Sequence, residues 1–412
     1  MPHLPGHDAH RIAPFSPNED DDFEIRTVLG HAVEGSSEPG EVLAAVAGIG
    51  KGDHEAWFTA WDRLGDRVAA IADAAAVAGH RASASGAYLR ASTYYGVAVN
   101  AVSALPDSSA LAPTFAKQKD AWEAFVNHAP VPVERVAIPL ESDSMPGYLF
   151  RPAEPTGAAL VAVNGSDGSL GGLWASCVAA GLRRGYTVLV FDGPGQQSQL
   201  FERGVPFRPD WENVLTPVYD FVAAQAGVDA ARVGLYGISQ GGYWVARALA
   251  YEHRFAAAVT DPGVVDVSTS WTAHLPHSLT KLLDAGDTEK FDKEMAFGLK
   301  LSPATARTWQ FRARPYGSGG VALGYAETLE QVRRYTMADV ADRITTPLFI
   351  TDPEGEQFWP GQSARLAELT ASVSTLQPFT AEEGAAGHCQ PLARTLTAQR
   401  MYDWLDARLT TT

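Results

Sequence analysis

Short apolar runs alternate with helix-length segments over the second half of the chain, and this pattern limits the folds open to it. The runs are Ala158–Val163, Thr187–Phe191, Val233–Tyr236, Ala256–Val259 and Leu348–Ile350. Strands separated by helices build βαβ units and a mostly parallel sheet. The sequence therefore predicts an α/β fold, preceded by two antiparallel strands at Val133–Leu140 and Gly147–Phe150.

The rest of the chain divides into segments of different character. Residues 1–22 are polar and end in an acidic run, which predicts a flexible arm. Residues 23–130 are expected to form an all-helical domain, because their apolar residues recur at spacings of three and four; an example is Trp57, Trp61, Leu64, Val68 and Ile71. The α/β core is then predicted in two parts, 131–264 and 339–412. Residues 265–338 are expected to form a helical lid between them, since an insertion of this size late in a sheet usually covers the strand ends.

The hexapeptide Gly237–Gly242 carries the strongest chemical signal. It has the pattern G-x-S-x-G-G, follows the apolar run ending at Tyr236, and precedes a helix-forming segment. In this strand–turn–helix context, a serine sits on a strained turn with its hydroxyl raised above the sheet. Glycines flank it because side chains there would collide with neighbouring backbone. Ser239 is therefore the predicted nucleophile.

A serine nucleophile needs a base, and the base needs an orienting acid. His388 is predicted as the base because it lies in a glycine-rich loop just before the last helix. Asp352 is predicted as the acid because it ends an apolar strand and precedes His388 by 36 residues. Asp261, Glu354 and Glu356 remain the alternatives. The order Ser…Asp…His is that of one widespread class of α/β enzymes.

Two backbone N–H groups should stabilise the oxyanion of the reaction. One is expected from Gln240, directly after the nucleophile. The other is expected from the loop that follows the strand Ala158–Val163, with Ser166 as first choice and Gly165 as second. Glycine in this loop would let a carbonyl oxygen approach the backbone closely.

Charge and composition bear on partners and location. The chain has 32 basic and 48 acidic residues, a net charge of −16, which disfavours nucleic acid and anionic membranes. No signal segment, no apolar run of about 18 residues and only two cysteines predict a cytoplasmic protein with reduced thiols. No cofactor or metal is expected: Gly193–Gly195 lacks the third glycine of a dinucleotide site, and the pair His274 and His277 lacks neighbouring ligands.

The chain resembles the α/β-hydrolase group that contains 2,6-dihydroxypseudooxynicotine hydrolase and the fungal yellowish-green polyketide-shortening hydrolases. The resemblance runs from about residue 55 to the end and is most specific in Phe191–Gln196 and Gly237–Gly242. It implies an α/β-hydrolase fold, a triad of Ser239, Asp352 and His388, and a homodimer. It also implies an acidic residue after the glycine of the oxyanion loop, for which Asp167 is the nearest match.

The resemblance further implies hydrolysis of a carbon–carbon bond beside a ketone in an aromatic or polyketide-like small molecule. An esterase, thioesterase or lactonase with the same triad is the first alternative, since fold membership does not fix the chemistry. A non-hydrolytic cyclase or binding protein on this fold is the second. Substrate contacts are expected from Asp167 and from three residues of the lid, Trp271, His274 and Trp309.

Overall fold

The structure, a computed structural model, describes residues 12–273 and 275–410 of the 412-residue chain. Within these residues the chain forms one eight-stranded sheet, in the order β1-β2-β4-β3-β5-β6-β7-β8. Its strands are β1 (Val133–Leu140), β2 (Asp143–Phe150), β3 (Ala159–Val163), β4 (Thr187–Phe191), β5 (Val233–Ile238), β6 (Ala257–Asp261), β7 (Leu348–Pro353) and β8 (Ser374–Phe379).

The sheet is parallel apart from its first two strands. Strands β1 and β2 form an antiparallel pair, β2 joins β4 antiparallel, and every later pairing is parallel. Strands β3, β4 and β6 are buried along their whole length and β5 is buried up to Gly237, as expected of strands covered by helices on both faces. Strand order reverses between β3 and β5, and ligands of such sheets bind beyond the carboxyl ends of the strands at this point.

Helices cover both faces of the sheet. They also form the segment before the sheet and the insertion between β6 and β7. They are α1 (Glu19–Gly30), α2 (Pro39–Val46), α3 (His54–Val77), α4 (Arg81–Ala101), α5 (Leu111–His128), α6 (Leu170–Leu173), α7 (Ala179–Arg183), α8 (Gln197–Phe201), α9 (Glu212–Ala223), α10 (Gly241–Leu249), α11 (Ser268–Thr272), α12 (His277–Asp284), α13 (Thr288–Leu299), α14 (Pro303–Ala313), α15 (Tyr325–Val332), α16 (Gln362–Leu369) and α17 (Arg394–Leu409). A π-helical turn, Trp174–Val178, joins α6 to α7.

Helices α1 to α5 precede the sheet and share a hydrophobic core with one of its faces. The acidic run Glu19–Asp22 forms the first turn of α1 and is capped by the Asn18 side chain, so the prediction that it belongs to a flexible arm is wrong. Acidic side chains there suit the positive end of a helix dipole. Residues 1–11 of the predicted arm lie outside the described residues. In α3, Ile71 is 51% exposed and Ala72 is buried in its place, a shift of one residue from the predicted face.

Helices α11 to α15 occupy the insertion between β6 and β7. A small apolar cluster holds them together: Leu279, Leu283, Phe291, Met295, Ala326 and Leu329. The aromatic side chains of this insertion reach the second sheet face through Trp271 and Tyr316. No helix in the described ranges is both long and apolar enough to traverse a lipid bilayer.

Candidate active site

Ser239 lies in the tight turn between β5 and α10, at the centre of the sheet. Its φ angle is +57°, a left-handed conformation that side-chain-bearing residues adopt at a strain. The turn is held by the Ser239 N–H, which donates to the Asp261 carbonyl at 2.6 Å. A Cβ at Gly237 would come within 2.3 Å of the Gly241 carbonyl, and one at Gly241 within 2.8 Å of the Asn164 carbonyl. Backbone packing therefore requires both glycines.

His388 contacts the serine hydroxyl directly. Its Nε2 lies 2.9 Å from Ser239 Oγ, and the imidazole is 4% exposed. Three aromatic rings surround it, with centroid distances of 4.7 Å to Phe358, 5.6 Å to Trp359 and 6.0 Å to Phe23 of α1. The imidazole is thus fixed in one orientation and shielded from bulk water.

The carboxylate on the other side of the imidazole belongs to Glu356. His388 Nδ1 lies 2.8 Å from Glu356 Oε2 and 3.0 Å from Oε1, and the Glu356 side chain is 7% exposed. The N–H groups of Phe358 and Trp359 also donate to Oε1. Burial acts to raise the pKa of Glu356, but the charge and hydrogen bond of His388 and these two N–H groups outweigh it and hold the pKa below its usual value.

The predicted contact between Asp352 and His388 is therefore wrong. Asp352 still lies inside strand β7, opposite Pro378 of β8, because the strand extends one residue beyond it. The chain then turns at Pro353, with the Glu356 N–H donating to the Pro353 carbonyl, and this turn brings Glu356 to the imidazole. Burial and the nearby charge of Glu356 raise the pKa of Asp352.

The other two alternatives for the acid hold loops in place. The buried Asp261 carboxylate pairs with the Arg394 guanidinium at 3.0 Å. The Glu354 carboxylate accepts the Ala381 N–H at 2.7 Å, and the Glu354 carbonyl accepts the Gly387 N–H at 2.8 Å. Glu354 therefore ties the turn after β7 to the loop of His388.

The loop after β3 lies against the nucleophile. A Cβ at Gly165 would meet the Cβ of Ser239 at 2.8 Å, so only glycine allows this approach. The Gly165 N–H already donates to Asn164 Oδ1 at 2.9 Å. The N–H groups of Ser166 and Gln240 have no hydrogen-bond acceptor within the described part of the chain. These two amides are the ones left for a ligand oxygen.

Two glutamines brace this loop, and the sequence analysis did not identify them. Gln196 Nε2 donates to the carbonyls of Asn164 at 2.9 Å and Gly165 at 3.2 Å, while its Oε1 accepts the Gly193 N–H. Gln197 Nε2 donates to the Asp167 carbonyl at 3.1 Å. Gln196 is the last residue of the motif Phe191–Gln196, which is among the most specific parts of the family resemblance. This motif was the sequence signal from which a role for Gln196 at the site could have been inferred.

A two-lobed cavity opens at these groups. The serine lobe, of about 150 Å³, touches Ser239 and His388, and helices α1 and α4 and the loop after β3 form much of its lining. The lid lobe, of about 250 Å³, is lined largely by aromatic rings, with Ser166 and Gln240 at its base. Its rings are those of Phe23, Trp57, Phe201, Phe207, Trp271, Phe311, Tyr316, Phe358 and Trp359.

The predicted substrate contacts have different outcomes. Asp167 lines both lobes, and Trp271 lines the lid lobe. Trp309 does not line either lobe; its ring packs on Trp271 at 5.5 Å and on Tyr325 at 4.8 Å, so it supports the lobe from behind. His274 lies outside the described residues. Across residues 12–273 and 275–410, no three His, Cys, Asp or Glu side chains gather as a metal site would require.

Comparisons with known proteins identify relatives of this chain by sequence and by fold. The sequence model of the prolyl oligopeptidase family matches residues 174–306. An α/β-hydrolase of Xenoacremonium sinensis is 30% identical over 368 residues, 83% of this chain and 84% of the relative. The 20-hydroxy-prefusarin hydrolase of Gibberella moniliformis is 27% identical, covering 93% of this chain and 95% of the relative.

Among solved structures, that of 2,6-dihydroxy-pseudo-oxynicotine hydrolase superposes with a TM-score of 0.70 at 19% identity. The match covers 92% of this chain and 95% of that one, including the helices before the sheet. The expected fold and the expected resemblance are both confirmed. With a hydrolase relative matched over most of both chains and the same fold over nearly the whole molecule, this chain belongs to the α/β-hydrolase family.

Proposed function

We propose that this chain is a serine hydrolase that attacks a carbonyl group of an aromatic or polyketide-like small molecule and forms an acyl-enzyme. The observation that carries the proposal is the unbroken series of contacts from Ser239 Oγ through His388 to Glu356, at 2.9 and 2.8 Å. Glu356 takes the role of orienting acid, and Ser239 and His388 are nucleophile and base.

In the proposed reaction, His388 Nε2 removes the hydroxyl proton as Ser239 Oγ adds to the carbonyl carbon. The oxyanion accepts hydrogen bonds from the N–H groups of Gln240 and Ser166, each of the kind worth about 10²–10³ in rate. His388 then gives its proton to the leaving group. Glu356 stabilises the charged imidazole, and water releases the acyl group by the same steps in reverse order.

The favoured reaction is cleavage of a carbon–carbon bond beside a ketone. Two features support it over hydrolysis of a simple ester. The serine lobe, which Ser239 lines, and the neighbouring lid lobe can each receive one fragment of a substrate that is cut near its middle. Aromatic walls in the lid lobe suit a flat, conjugated fragment.

The experiment is a fluorophosphonate label combined with product analysis. The label should attach to Ser239 in the wild type and fail in Ser239→Ala. Purified enzyme is then incubated with an aryl 1,3-diketone and with an aryl ester of the same acyl group, and products are identified by mass. Release of an acid and a ketone from the diketone supports carbon–carbon cleavage. Turnover of the ester alone would assign an esterase, and no label with no turnover would reject the serine hydrolase.

A further inference from the structure

Glu24 of helix α1 lies where the two lobes of the cavity meet. It lines both of them, together with Phe23 and Asp167, whereas Ser239 and His388 line the serine lobe alone. Its carboxyl group has no hydrogen bond or ion pair with any residue in the described ranges. Glu24 is partly buried, and an acid withdrawn from water without a protein partner is unusual, because such groups normally find one.

The surroundings of Glu24 favour its neutral form. Burial raises its pKa to about 8, and the charges of Asp167, Asp20 and Asp21 act in the same direction. The charged or titratable groups that share the two lobes with it are Asp20, Asp21, His31, His54, Asp167, Arg312, Tyr316, His388, Cys389 and Arg394. Of these, His31 is held neutral, since burial and then Arg394 lower its pKa to about 3. At neutral pH, Glu24 therefore carries an O–H group that can donate.

Other polar atoms in the cavity also lack partners. The Gln240 side chain is 3% exposed and lines the lid lobe, and its Nε2 has no acceptor among the described residues. Its Oε1 is already used by the Tyr316 hydroxyl at 3.2 Å. Buried donors left unpaired in the free enzyme indicate that the ligand supplies the acceptors. The cavity thus offers hydrogen-bond donors in addition to the two backbone N–H groups that would bind the carbonyl attacked by Ser239.

We propose that Glu24 is a substrate-binding acid that donates a hydrogen bond to the second oxygen of a 1,3-dicarbonyl substrate, and so selects this class over simple esters. The inference rests on the proposed serine hydrolase chemistry and specifies its substrate. Ser239 attacks the first carbonyl with the oxyanion on Gln240 and Ser166. The second carbonyl oxygen lies at the junction of the lobes, on the O–H of Glu24.

The bond changes balance without a further reactant. When the tetrahedral intermediate collapses, the bond between the first carbonyl carbon and the central carbon breaks, and its electron pair moves to form an enolate. The negative charge develops on the second oxygen, where the Glu24 O–H stabilises it. The proton that His388 took from Ser239 is delivered to the central carbon, which gives a ketone. Water then converts the acyl-enzyme to a carboxylic acid.

A neutral acid is better suited to this role than a carboxylate. An ionised Glu24 would repel the developing enolate, whereas a protonated one donates to it; a carboxyl group kept neutral by its site can act in this way. An ester has no second carbonyl oxygen, so its hydrolysis should depend on Glu24 far less than diketone cleavage does. This difference separates the role of Glu24 from that of the triad.

The test compares Glu24→Gln and Glu24→Ala with wild type on a matched 1,3-diketone and ester. Glu19→Gln is the control, because Glu19 is an exposed acid on the same helix. We expect Glu24→Ala to lose about 10²-fold in kcat/KM on the diketone, the size typical of one oxyanion donor, and to lose far less on the ester. Glu24→Gln, which keeps an N–H donor, should lose less.

The pH profile gives a second readout. Diketone turnover by wild type should fall above about pH 8, as Glu24 ionises, while ester turnover should not. The fall should be absent in Glu24→Gln, whose amide does not titrate. Infrared difference spectra of wild type against Glu24→Gln should show the carbonyl stretch of a protonated carboxyl group at pH 7.

Equal losses on diketone and ester, or an unchanged pH profile in Glu24→Gln, would overturn the assignment of Glu24. Ester hydrolysis with no diketone cleavage by wild type would also overturn it, while the labelled Ser239 kept the serine hydrolase in place. Absence of both label and turnover would reject the proposed function itself and the inference with it.

Discussion

The guanidinium of Arg394 and the carboxylate of Asp261 form a buried ion pair, with an N–O distance of 3.0 Å and both side chains at most 3% exposed. Asp261 ends strand β6, and its carboxylate also accepts hydrogen bonds from the hydroxyls of Tyr236 and Thr351. Arg394 begins helix α17 and donates to the Cys389 carbonyl at 2.6 Å, one residue after His388. The pair thus joins the loop of the imidazole to the strand beside the nucleophile.

We expect Asp261→Asn to destabilise the protein by about 3–5 kcal/mol, because it leaves the Arg394 charge buried without a counter-charge. The measurement is the free energy of unfolding in urea. Lys293→Gln is the control: the ion pair of Lys293 with Glu289 is exposed, and its loss should change stability by less than about 0.5 kcal/mol. Similar effects of the two substitutions would mean that the buried pair is not a structural link.

Ser239→Ala should abolish turnover while leaving the fold intact. Loss of the nucleophile is expected to reduce kcat by at least about 10³-fold, as for other triad residues. Circular dichroism and the melting temperature check the fold, and rates on the diketone and the ester check the activity. A variant with a nearly wild-type rate would rule out the acyl-enzyme mechanism.

Glu356→Gln should reduce kcat by about 10³–10⁴-fold, because the amide cannot stabilise the charged imidazole. Asp352→Asn should be nearly silent. Both substitutions replace a carboxylate by an amide, at positions four residues apart, so each is the control for the other. Asp261→Asn and Glu354→Gln complete the series. If Asp352→Asn were the damaging one, the geometry around His388 would have to differ during catalysis.

Stability should depend on pH through Glu24. Its pKa in the folded protein, about 8, lies above the ordinary value of 4.5. Between pH 4.5 and about pH 8, the folded state therefore keeps a proton that the unfolded state has released. Stability contributed by this group is complete below about pH 4.5 and decreases as pH rises to about 8, by about 1.4 kcal/mol per pH unit. Urea unfolding of wild type and Glu24→Gln from pH 5 to pH 9, with Glu19→Gln alongside, measures the difference. A constant difference would contradict the raised pKa.

Trp271→Ala should damage turnover of a bulky aromatic substrate far more than turnover of a small acetate ester, because its ring lines the lid lobe. Trp309→Ala should change selectivity in the same direction but by less, since Trp309 only supports Trp271. Kinetic constants on both substrates test this. Equal losses on the two substrates would mean that the insertion does not contact the substrate.

Local sequence patterns were sufficient to predict that Ser239 lies on a tight turn and that His388 lies beside it. The glycines around Ser239 are required by backbone contacts within a few residues and with one neighbouring loop, and such requirements leave a recognisable pattern. The order of strands and helices was likewise readable from the spacing of apolar runs.

Local patterns could not predict which carboxylate contacts His388, or that helix α1 packs beside the imidazole. The segment 352–356 contains three carboxylates, those of Asp352, Glu354 and Glu356. Only the geometry of the turn at Pro353 decides which one reaches His388. Phe23 lies more than 300 residues before Phe358, yet their rings pack at 5.6 Å. Packing over such a distance in sequence leaves no periodic signal in a single chain.

Helix α1 spans twelve residues, and two consecutive ones, Phe23 and Glu24, contact the imidazole and the junction of the two lobes. The turn that holds Ser239 is therefore more than 200 residues away in sequence from the short stretch of α1 that borders the same cavity. Variation in that stretch, by mutation or by exchange between related genes, can alter which compounds are accepted without touching the nucleophile. Libraries directed at α1 alone offer a compact route to new specificities.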